Sequence, residues 1–393
     1  MTLPVQPKKL NICIVSEFSI PYLYGGGEFR YYFIIQELLK RGHNVTWLCM
    51  RFRRSDNAVP GEEFFEGIRI IHRGPIVNHP PVRTFCNIIC YFVSILWHLT
   101  KNKYDVIDVQ AFLPLVPAFI VAYIFKRNMV ATIHDVSSDS NNQWLQYKSV
   151  APFFEKCIVK LPYRKILTGS DSIKKRLITR FGIPSRRISV IPYAINLEMI
   201  DAVAPNYDRS HHYQKNKLSI CFVGRFAPNK RIADLLDAFQ LVVRSQPNAN
   251  LTIIGSGTEE EMLRNIVQIK HLDSCVNFLV GIDDKEKFKI MKQSQVLVLP
   301  SVREGFGLVL LEAMACQMAI VATNINGIRD VITQSHDGIL VASGDTSALA
   351  AAILRVLNNS DLRLRLISNG RKTVEQKFQW AKNIEGIEKI YAP

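Results

Sequence analysis

The sequence predicts an α/β protein made of two consecutive doubly wound domains, and three observations predict it. Apolar, strand-like runs alternate with glycine or polar loops and amphipathic helical stretches along most of the chain. A polar stretch without periodicity, Pro205–Lys217, interrupts that alternation, which then restarts. The length of 393 residues suits two domains, each large enough to bury its own core.

In the first half, Leu10–Ser16 reads as a buried strand and Gly25–Gly27 as the loop that follows it. Glu28–Arg41 has helical spacing closed by Gly42, and Asn44–Met50 reads as the next strand. Strand, helix and strand in that order make a βαβ unit, which implies a parallel sheet with helices on both faces. Val106–Val109, Met129–His134, Ile166–Thr168 and Ile188–Pro192 continue the strands. Phe85–Leu99 and Phe112–Phe125 are apolar but fall short of the ~20 residues that span a bilayer. Pro114 and Pro117 interrupt the second. Both read as core helices, with an interfacial segment as the alternative.

After the polar stretch, Leu218–Val223 is a strand, Ala233–Arg244 a helix and Asn250–Ile254 a strand. Further strands are expected at Val276–Leu279, Gln295–Pro300, Ala319–Thr323 and Gly338–Val341. From Leu349 the pattern is helical, ending with Phe378, Trp380, Ile384, Ile387 and Tyr391 at helical spacing. The expected division is therefore a first domain over 1–204, a linker over 205–217, a second domain over 218–375 and a closing helix over 376–393. Ligands are expected at the carboxyl ends of the strands and in the cleft between the domains.

With 48% hydrophobic and 21% charged residues, the composition excludes disorder, collagen and a multi-span membrane protein. The net charge of +15 is unevenly placed: residues 1–200 carry 26 Lys and Arg against 14 Asp and Glu. Lys101, Lys103, Lys126 and Arg127 border the two apolar helices, and a basic domain with apolar helices is what an anionic membrane surface attracts. The eight cysteines are scattered singly without Cys-x-x-Cys spacing, which points to a reducing compartment and away from structural zinc. Met1 to Lys9 is short and polar and leads directly into the first strand, which gives no signal-peptide pattern. A cytoplasmic location is expected.

The richest window for chemistry is Val296–Ala319. A strand leads into Ser301, Val302, Arg303, Glu304, Gly305, Phe306 and Gly307, and then into the apolar helix Leu308–Cys316. Glycines at a strand-to-helix turn let a ligand approach the backbone, and the helix amino terminus offers unpaired N–H groups, so this is a seat for a phosphate or sugar phosphate. Glu312 stands alone within the apolar helix, one turn beyond Leu308. A carboxylate there needs partners: ribose hydroxyls, an Arg or backbone donors would serve.

A second cluster, Gly224-Arg225 through Lys230-Arg231, follows a strand and could hold a diphosphate through its cations; the alternative is a solvated basic loop. Gly255-Ser256-Gly257 does not complete Gly-x-Gly-x-x-Gly and reads as a tight turn beside a nucleotide base. Gly25-Gly26-Gly27-Glu28 opens a helix, where Glu28 complements the dipole. His134-Asp135 ends a strand and could face the cleft or be structural. No Walker loop, His-Glu-x-x-His or Gly-x-Ser-x-Gly is present, which removes the commonest NTPase, zinc protease and serine hydrolase readings.

Glu304-Gly305-Phe306-Gly307-Leu308 with Glu312 resembles the Glu-x7-Glu signature of the retaining glycosyltransferases of family 4. The resemblance runs through Gly25-Gly26-Gly27-Glu28, Arg41-Gly42-His43-Asn44-Val45, His134-Asp135, Gly224-Arg225 with Lys230, Gly255-Ser256-Gly257 and Asn326-Gly327-Ile328-Arg329-Asp330. It implies the GT-B fold, two doubly wound Rossmann-like domains facing a central cleft, with a terminal helix that crosses back onto the first domain.

The resemblance also implies roles. The donor would be a UDP- or GDP-sugar and the acceptor a glycan or a lipid-linked molecule, at the cytoplasmic face of a membrane bound peripherally. Arg225 and Lys230 would neutralise the departing diphosphate, and Glu312 would hold the ribose hydroxyls. Glu304 would contact the donor sugar, and the N–H groups around Gly305, Phe306, Gly307 and Leu308 would hold sugar and phosphate. Gly255 and Gly257 would lie by the donor, Gly26 and Gly27 would approach the phosphates, and His134 would lie near the sugar and acceptor. No metal or other cofactor is expected, since cations and a helix terminus stabilise the leaving group.

Two departures stand out: Lys230-Arg231 where many relatives have Lys-Gly, and Pro192-Tyr193-Ala194 where Pro-Asn-Gly is usual. The competing readings are a nucleotide-sugar epimerase on the same fold and, in a different class, a basic nucleic-acid-binding protein. No RNP-like strand or recognition-helix signature supports the latter, and no nucleic-acid partner is expected.

Overall fold

A computed structural model describes residues 9–21, 26–54, 57–78, 84–110, 112–134, 136, 151–204 and 218–392. Gly25, Asp135 and the expected linker over 205–217 lie outside the described residues. The chain divides into two compact units: Met1–Pro192 with Trp380–Pro393, and Tyr193–Gln379. The division falls between Pro192 and Tyr193, whereas the sequence reading places it after residue 204. The segment between contains a short helix, α6 (Leu197–Ala202), whose Ile200 is buried in the core of the second unit.

Unit 1 is built on one mostly parallel sheet. Its strands are β1 (Asn11–Val15), β2 (Asn44–Arg54), β3 (Asn57–Ala58), β4 (Glu62–Phe65), β5 (Ile68–Asn78), β6 (Val106–Gln110), β7 (Asn128–Ile133), β8 (Lys165–Thr168) and β9 (Ile188–Val190). They run in the order β4-β5-β2-β1-β6-β7-β8-β9, with β3 paired to β2. The central strands are apolar on both faces because helices cover both: Ile12, Cys13, Ile14 and Val15 are all fully buried. The helices are α1 (Gly26–Lys40), α2 (Phe85–Lys101), α3 (Phe112–Ile124), α4 (Ala151–Val159) and α5 (Asp171–Phe181). Helix α5 shows how local sequence sets an element: the Ser170 side chain caps its start and left-handed Gly182 ends it. Helix α3 continues through Pro117, so the prolines do not break that run as expected.

Unit 2 holds a six-stranded, wholly parallel sheet in the order β12-β11-β10-β13-β14-β15. The strands are β10 (Leu218–Val223), β11 (Ala249–Ile254), β12 (Val276–Leu279), β13 (Val296–Leu299), β14 (Ala319–Thr323) and β15 (Ile339–Val341). After α6 its helices are α7 (Ile232–Ser245), α8 (Glu260–Ile269), α9 (Asp284–Gln293), α10 (Leu308–Ala315), α11 (Thr346–Asn358) and α12 (Ser360–Lys377). In each sheet the first strand of the unit sits in the middle and the order reverses beside it, between β1 and β6 and between β10 and β13. Loops at the carboxyl ends of such a pair diverge to opposite faces and leave a crevice, the usual ligand seat of open parallel sheets.

The last helix, α13 (Trp380–Tyr391), belongs to unit 1. Arg41, His43 and Asp108 are among the groups that fasten it there. Arg41 donates to Glu388 at 3.0 Å, and His43 Nε2 lies 3.0 Å from the other Glu388 oxygen. His43 Nδ1 accepts from the Leu10 N–H at 3.1 Å, which fixes the tautomer with the proton on Nε2, facing Glu388. Tyr391 donates to Asp108 Oδ2 at 2.5 Å, deep in the sheet, while Tyr31 and Thr132 donate to Oδ1 at 3.2 and 2.6 Å. The Arg41-Gly42-His43 motif thus holds the closing helix.

Candidate active site

The loops following β10 and β13 meet at the switch point of the second sheet. The backbone N–H of Val302 donates to the Asn229 carbonyl at 2.9 Å, and the Asn229 side chain donates to the Arg303 carbonyl at 3.3 Å. Across this seam Lys230 Nζ lies 2.6 Å from Glu304 Oε1, and Ser301 donates to the same oxygen at 2.7 Å. Both charged side chains are largely buried, at 14% and 9% exposure. Desolvation weakens such a pair unless its geometry is good, and here a short bond and a second donor supply it.

The rest of the window is shaped by close backbone approaches. Gly307 sits at φ 81°, the left-handed conformation, and caps α10. A Cβ on Gly327, at φ 87°, would strike the Glu304 carbonyl oxygen, so the 326–330 loop rests directly on the Glu304 turn. A Cβ on Gly255 would overlap the Gly224 carbonyl oxygen, and one on Gly257 the Phe226 carbonyl oxygen. These two glycines let the loop after β11 lie against the loop after β10, a contact held by Phe226 N–H to Ser256 O at 2.8 Å. Arg225 is exposed on that loop.

Glu312 lies one turn into α10 and has a lysine of its own. Lys287, from α9, reaches Glu312 Oε1 at 3.0 Å and Asp284 at 2.8 Å. Burial acts to lower the Lys287 pKa, but Glu312 and then Asp284 outweigh it and hold the ammonium charged. The partner that the sequence reading required for Glu312 is therefore a lysine 25 residues upstream. The Phe306 ring is buried between Tyr193, stacked at 4.9 Å, and Phe378, edge-on at 5.9 Å. Tyr193, a departure in sequence, is thus the packing support of the Glu304–Gly307 turn. Arg231, the other departure, holds φ 52° at the start of α7, the conformation glycine adopts most readily.

In unit 1 the crevice between β1 and β6 is formed by the amino end of α1 and the carboxyl ends of β6 and β7. Gly26 and Gly27 are the first residues of α1. A Cβ on Gly27 would overlap Gln110 Nε2 and come within 3.9 Å of His134 Nε2. Glycine is required here by close approach, since its backbone is helical. Gln110 is 6% exposed and its Oε1 has no hydrogen-bond partner among the described residues. His134 packs edge-on against Tyr31, with centroids 5.9 Å apart. Burial first, and the nearby Arg30 charge second, push its pKa down to about 3, so the ring is neutral near pH 7.

Gln110 and Lys287 escaped the sequence reading, and Ser301 stood in its richest window without a role. Gln110 carried a usable signal, a second polar residue at the carboxyl end of the strand-like Val106–Val109. Ser301 and Lys287 carried none, because their significance lies in the carboxylates they meet.

Comparison with known proteins gives the family and the fold. Residues 24–199 match the model of Glycosyltransferase Family 4, and residues 204–373 match that of the Glycosyl transferases group 1. A relative from Methanocaldococcus jannaschii, an uncharacterized glycosyltransferase, is 26% identical over 97% of this chain and 98% of its own. Among solved structures, sucrose-phosphate synthase from Thermosynechococcus elongatus shares the fold with a TM-score of 0.83 at 23% identity, covering 97% of this chain and 98% of that one. Anabaena HepE in complex with UDP-glucose gives a TM-score of 0.74 at 17% identity, over 97% and 98% of the two chains. Two sheets of reversed strand order, paired acids after β13 and family matches to both halves lead to one conclusion: this chain is a GT-B glycosyltransferase of family 4, an enzyme of the EC 2.4 class.

Proposed function

We propose that the enzyme moves a sugar from a UDP- or GDP-sugar to a glycan or lipid-linked acceptor with retention of configuration, working peripherally at the cytoplasmic face of a membrane. The observation that carries this reading is the Lys230–Glu304 pair at the switch point of the second sheet. The binding of UDP-glucose by the similarly folded HepE supports a nucleotide-sugar donor.

Breaking the bond between sugar and phosphate builds positive charge on the sugar ring and negative charge on the departing diphosphate. Lys230 and Arg225 stabilise the diphosphate, helped by the N–H groups of Gly305, Phe306, Gly307 and Leu308 at the start of α10. Positive charge supplied by the chain in this way leaves no step that calls on a metal. Glu304 accepts from the sugar hydroxyls while Ser301 fixes its orientation. Glu312, held in place by Lys287, accepts from the two ribose hydroxyls. The Gly255–Gly257 turn borders the base. The acceptor hydroxyl attacks the face the diphosphate leaves, its proton passing to the leaving phosphate oxygen, so the new bond keeps the old configuration.

In unit 1, Gly26 and Gly27 leave the α1 amino end open to phosphate, and the cluster of Gln110 and His134 recognises sugar or acceptor hydroxyls. A neutral His134 acts there by hydrogen bonding. No helix among the described residues is long and apolar enough to cross a membrane.

Thermal unfolding against a panel of nucleotide sugars tests the donor, since a ligand of the folded state raises its midpoint. UDP- or GDP-sugars are expected to raise it and others not. Product analysis by NMR is expected to show the donor's anomeric configuration. An inverted product, or no stabilisation by either nucleotide class, overturns the reading.

A further inference from the structure

Helix α2 is apolar on both of its faces, although only one is covered. Tyr91, Ile95, His98 and Leu99 are buried against the unit. The opposite face carries Phe85, Ile89, Val93 and Trp97, spaced four residues apart and exposed by 71, 46, 55 and 56%. Residues four apart lie above one another on a helix, so these side chains form one unbroken stripe. Scattered exposed apolar residues are ordinary on a protein surface, but a contiguous stripe of large ones marks an interaction site.

The stripe continues beyond α2. Arg127 donates to the carbonyls of Leu99 and Asn102, which ties the end of α3 to the end of α2. That places Tyr123, Ile124 and Phe125, each more than half exposed, beside the Trp97 end of the stripe. Exposed Lys101, Lys103 and Lys126 border this junction. No Asp or Glu occurs between Thr84 and Tyr104 or between Phe112 and His134, so nothing in either segment opposes their charge.

We infer that the α2 stripe with the end of α3 is the face by which this enzyme docks on an anionic lipid surface, apolar side chains entering the headgroup boundary and the three lysines meeting lipid phosphates. The inference deepens the proposed function and rests on it for the acceptor's location. Charge decides the occupant. A stripe that served a second copy of the chain would bring each basic border against its twin, whereas an anionic bilayer complements it. Large aromatics at the rim suit the interfacial zone of a membrane.

Co-sedimentation with vesicles tests it, using the full chain without nucleotide. Vesicles of phosphatidylcholine with phosphatidylglycerol are expected to bind the wild type, and raising salt from 0.1 to 1 M is expected to weaken binding as screening shortens. Val93→Ser with Trp97→Ser is expected to reduce partition about tenfold or more, and Lys101→Glu with Lys126→Glu to abolish the preference for anionic vesicles. Cys86 and Cys90, exposed on the same helix, provide a readout in the unaltered protein: vesicles are expected to slow their reaction with a membrane-impermeant maleimide. Failure of the wild type to bind overturns the inference, as does unchanged partition of the serine variant. So does an equilibrium sedimentation result in which the wild type is a dimer that the serine variant dissociates. Stabilisation by nucleotide sugars is scored on the same samples; its loss with vesicle binding intact overturns the proposed function and leaves the docking face standing.

Discussion

Lys230 Nζ lies 2.6 Å from Glu304 Oε1, joining the loops that follow two neighbouring strands of one parallel sheet. The pair does two things. It closes the seam between the loops, and it keeps a cation and a carboxylate adjacent where strand order reverses.

Removing either charge is expected to stop transfer with the fold intact. Lys230→Ala and Glu304→Gln should each lower kcat/KM by about a hundredfold or more. Glu304→Gln retains the hydrogen-bonding shape toward Ser301, so its circular dichroism and unfolding midpoint should stay close to wild type. Initial-rate assays with the donor identified by thermal stabilisation check this, and full activity in both variants removes the site assignment.

The close approach of Gly27 to Gln110 predicts non-additive stability. Gly27→Ala forces Gln110 aside and should destabilise by about 1–3 kcal/mol. In a Gln110→Ala background the same change should be nearly neutral, because the added methyl then has space. A double-mutant cycle by urea unfolding measures the coupling. Equal effects of Gly27→Ala in both backgrounds would show that the two residues do not contact.

Buried His134 makes stability sensitive to acid. Its folded pKa, about 3, lies below its ordinary value, so between those limits the unfolded chain binds more protons. The stability from the neutral ring is complete above ~6.5 and lost as pH falls toward 3. His98, held at about 4 chiefly by burial, acts in the same direction. Buried Asp108 has the opposite sign: its raised pKa favours the folded state in acid, and that contribution is lost as pH rises through the folded pKa. Both terms persist in His134→Asn, so the comparison isolates the histidine. That variant should lose about 2 kcal/mol less than wild type between pH 7 and 5. Parallel pH profiles would exclude a buried neutral ring.

Tyr391→Phe removes one of three donors to the buried Asp108 carboxyl and should cost about 1–3 kcal/mol. Chemical denaturation should show the loss in unit 1. The unfolding of unit 2, followed by hydrogen exchange in β10 and β13, should not change.

Much of this architecture was legible in the chain. Strands β10, β12 and β14 carry the expected boundaries, because each is a short, mostly apolar run followed within two residues by glycine or a polar residue. The Glu304–Gly307 turn was legible for a related reason: glycines and an acid stand out between an apolar strand and an apolar helix. The β3–β5 excursion was not foreseen, since Glu62–Phe65 alternates too briefly and Arg73-Gly74-Pro75 reads as a break within what is one strand. Long-range partners were hidden as well. Nothing near Glu312 announces Lys287, and Arg41-Gly42-His43 gives no sign that it meets Glu388. Arg231 illustrates a third kind of gap: its departure from glycine was visible, but the positive φ that makes it matter was not.

The fastening of α13 bears on how the protein is made. Unit 2 is contiguous in sequence, so every strand it needs has left the ribosome by the time Gln379 emerges. Unit 1 must wait, with its larger sheet lacking Tyr391 beneath Asp108 and Glu388 against His43 until the final turn of helix has been translated. The half of the molecule synthesised first is therefore the half that matures last.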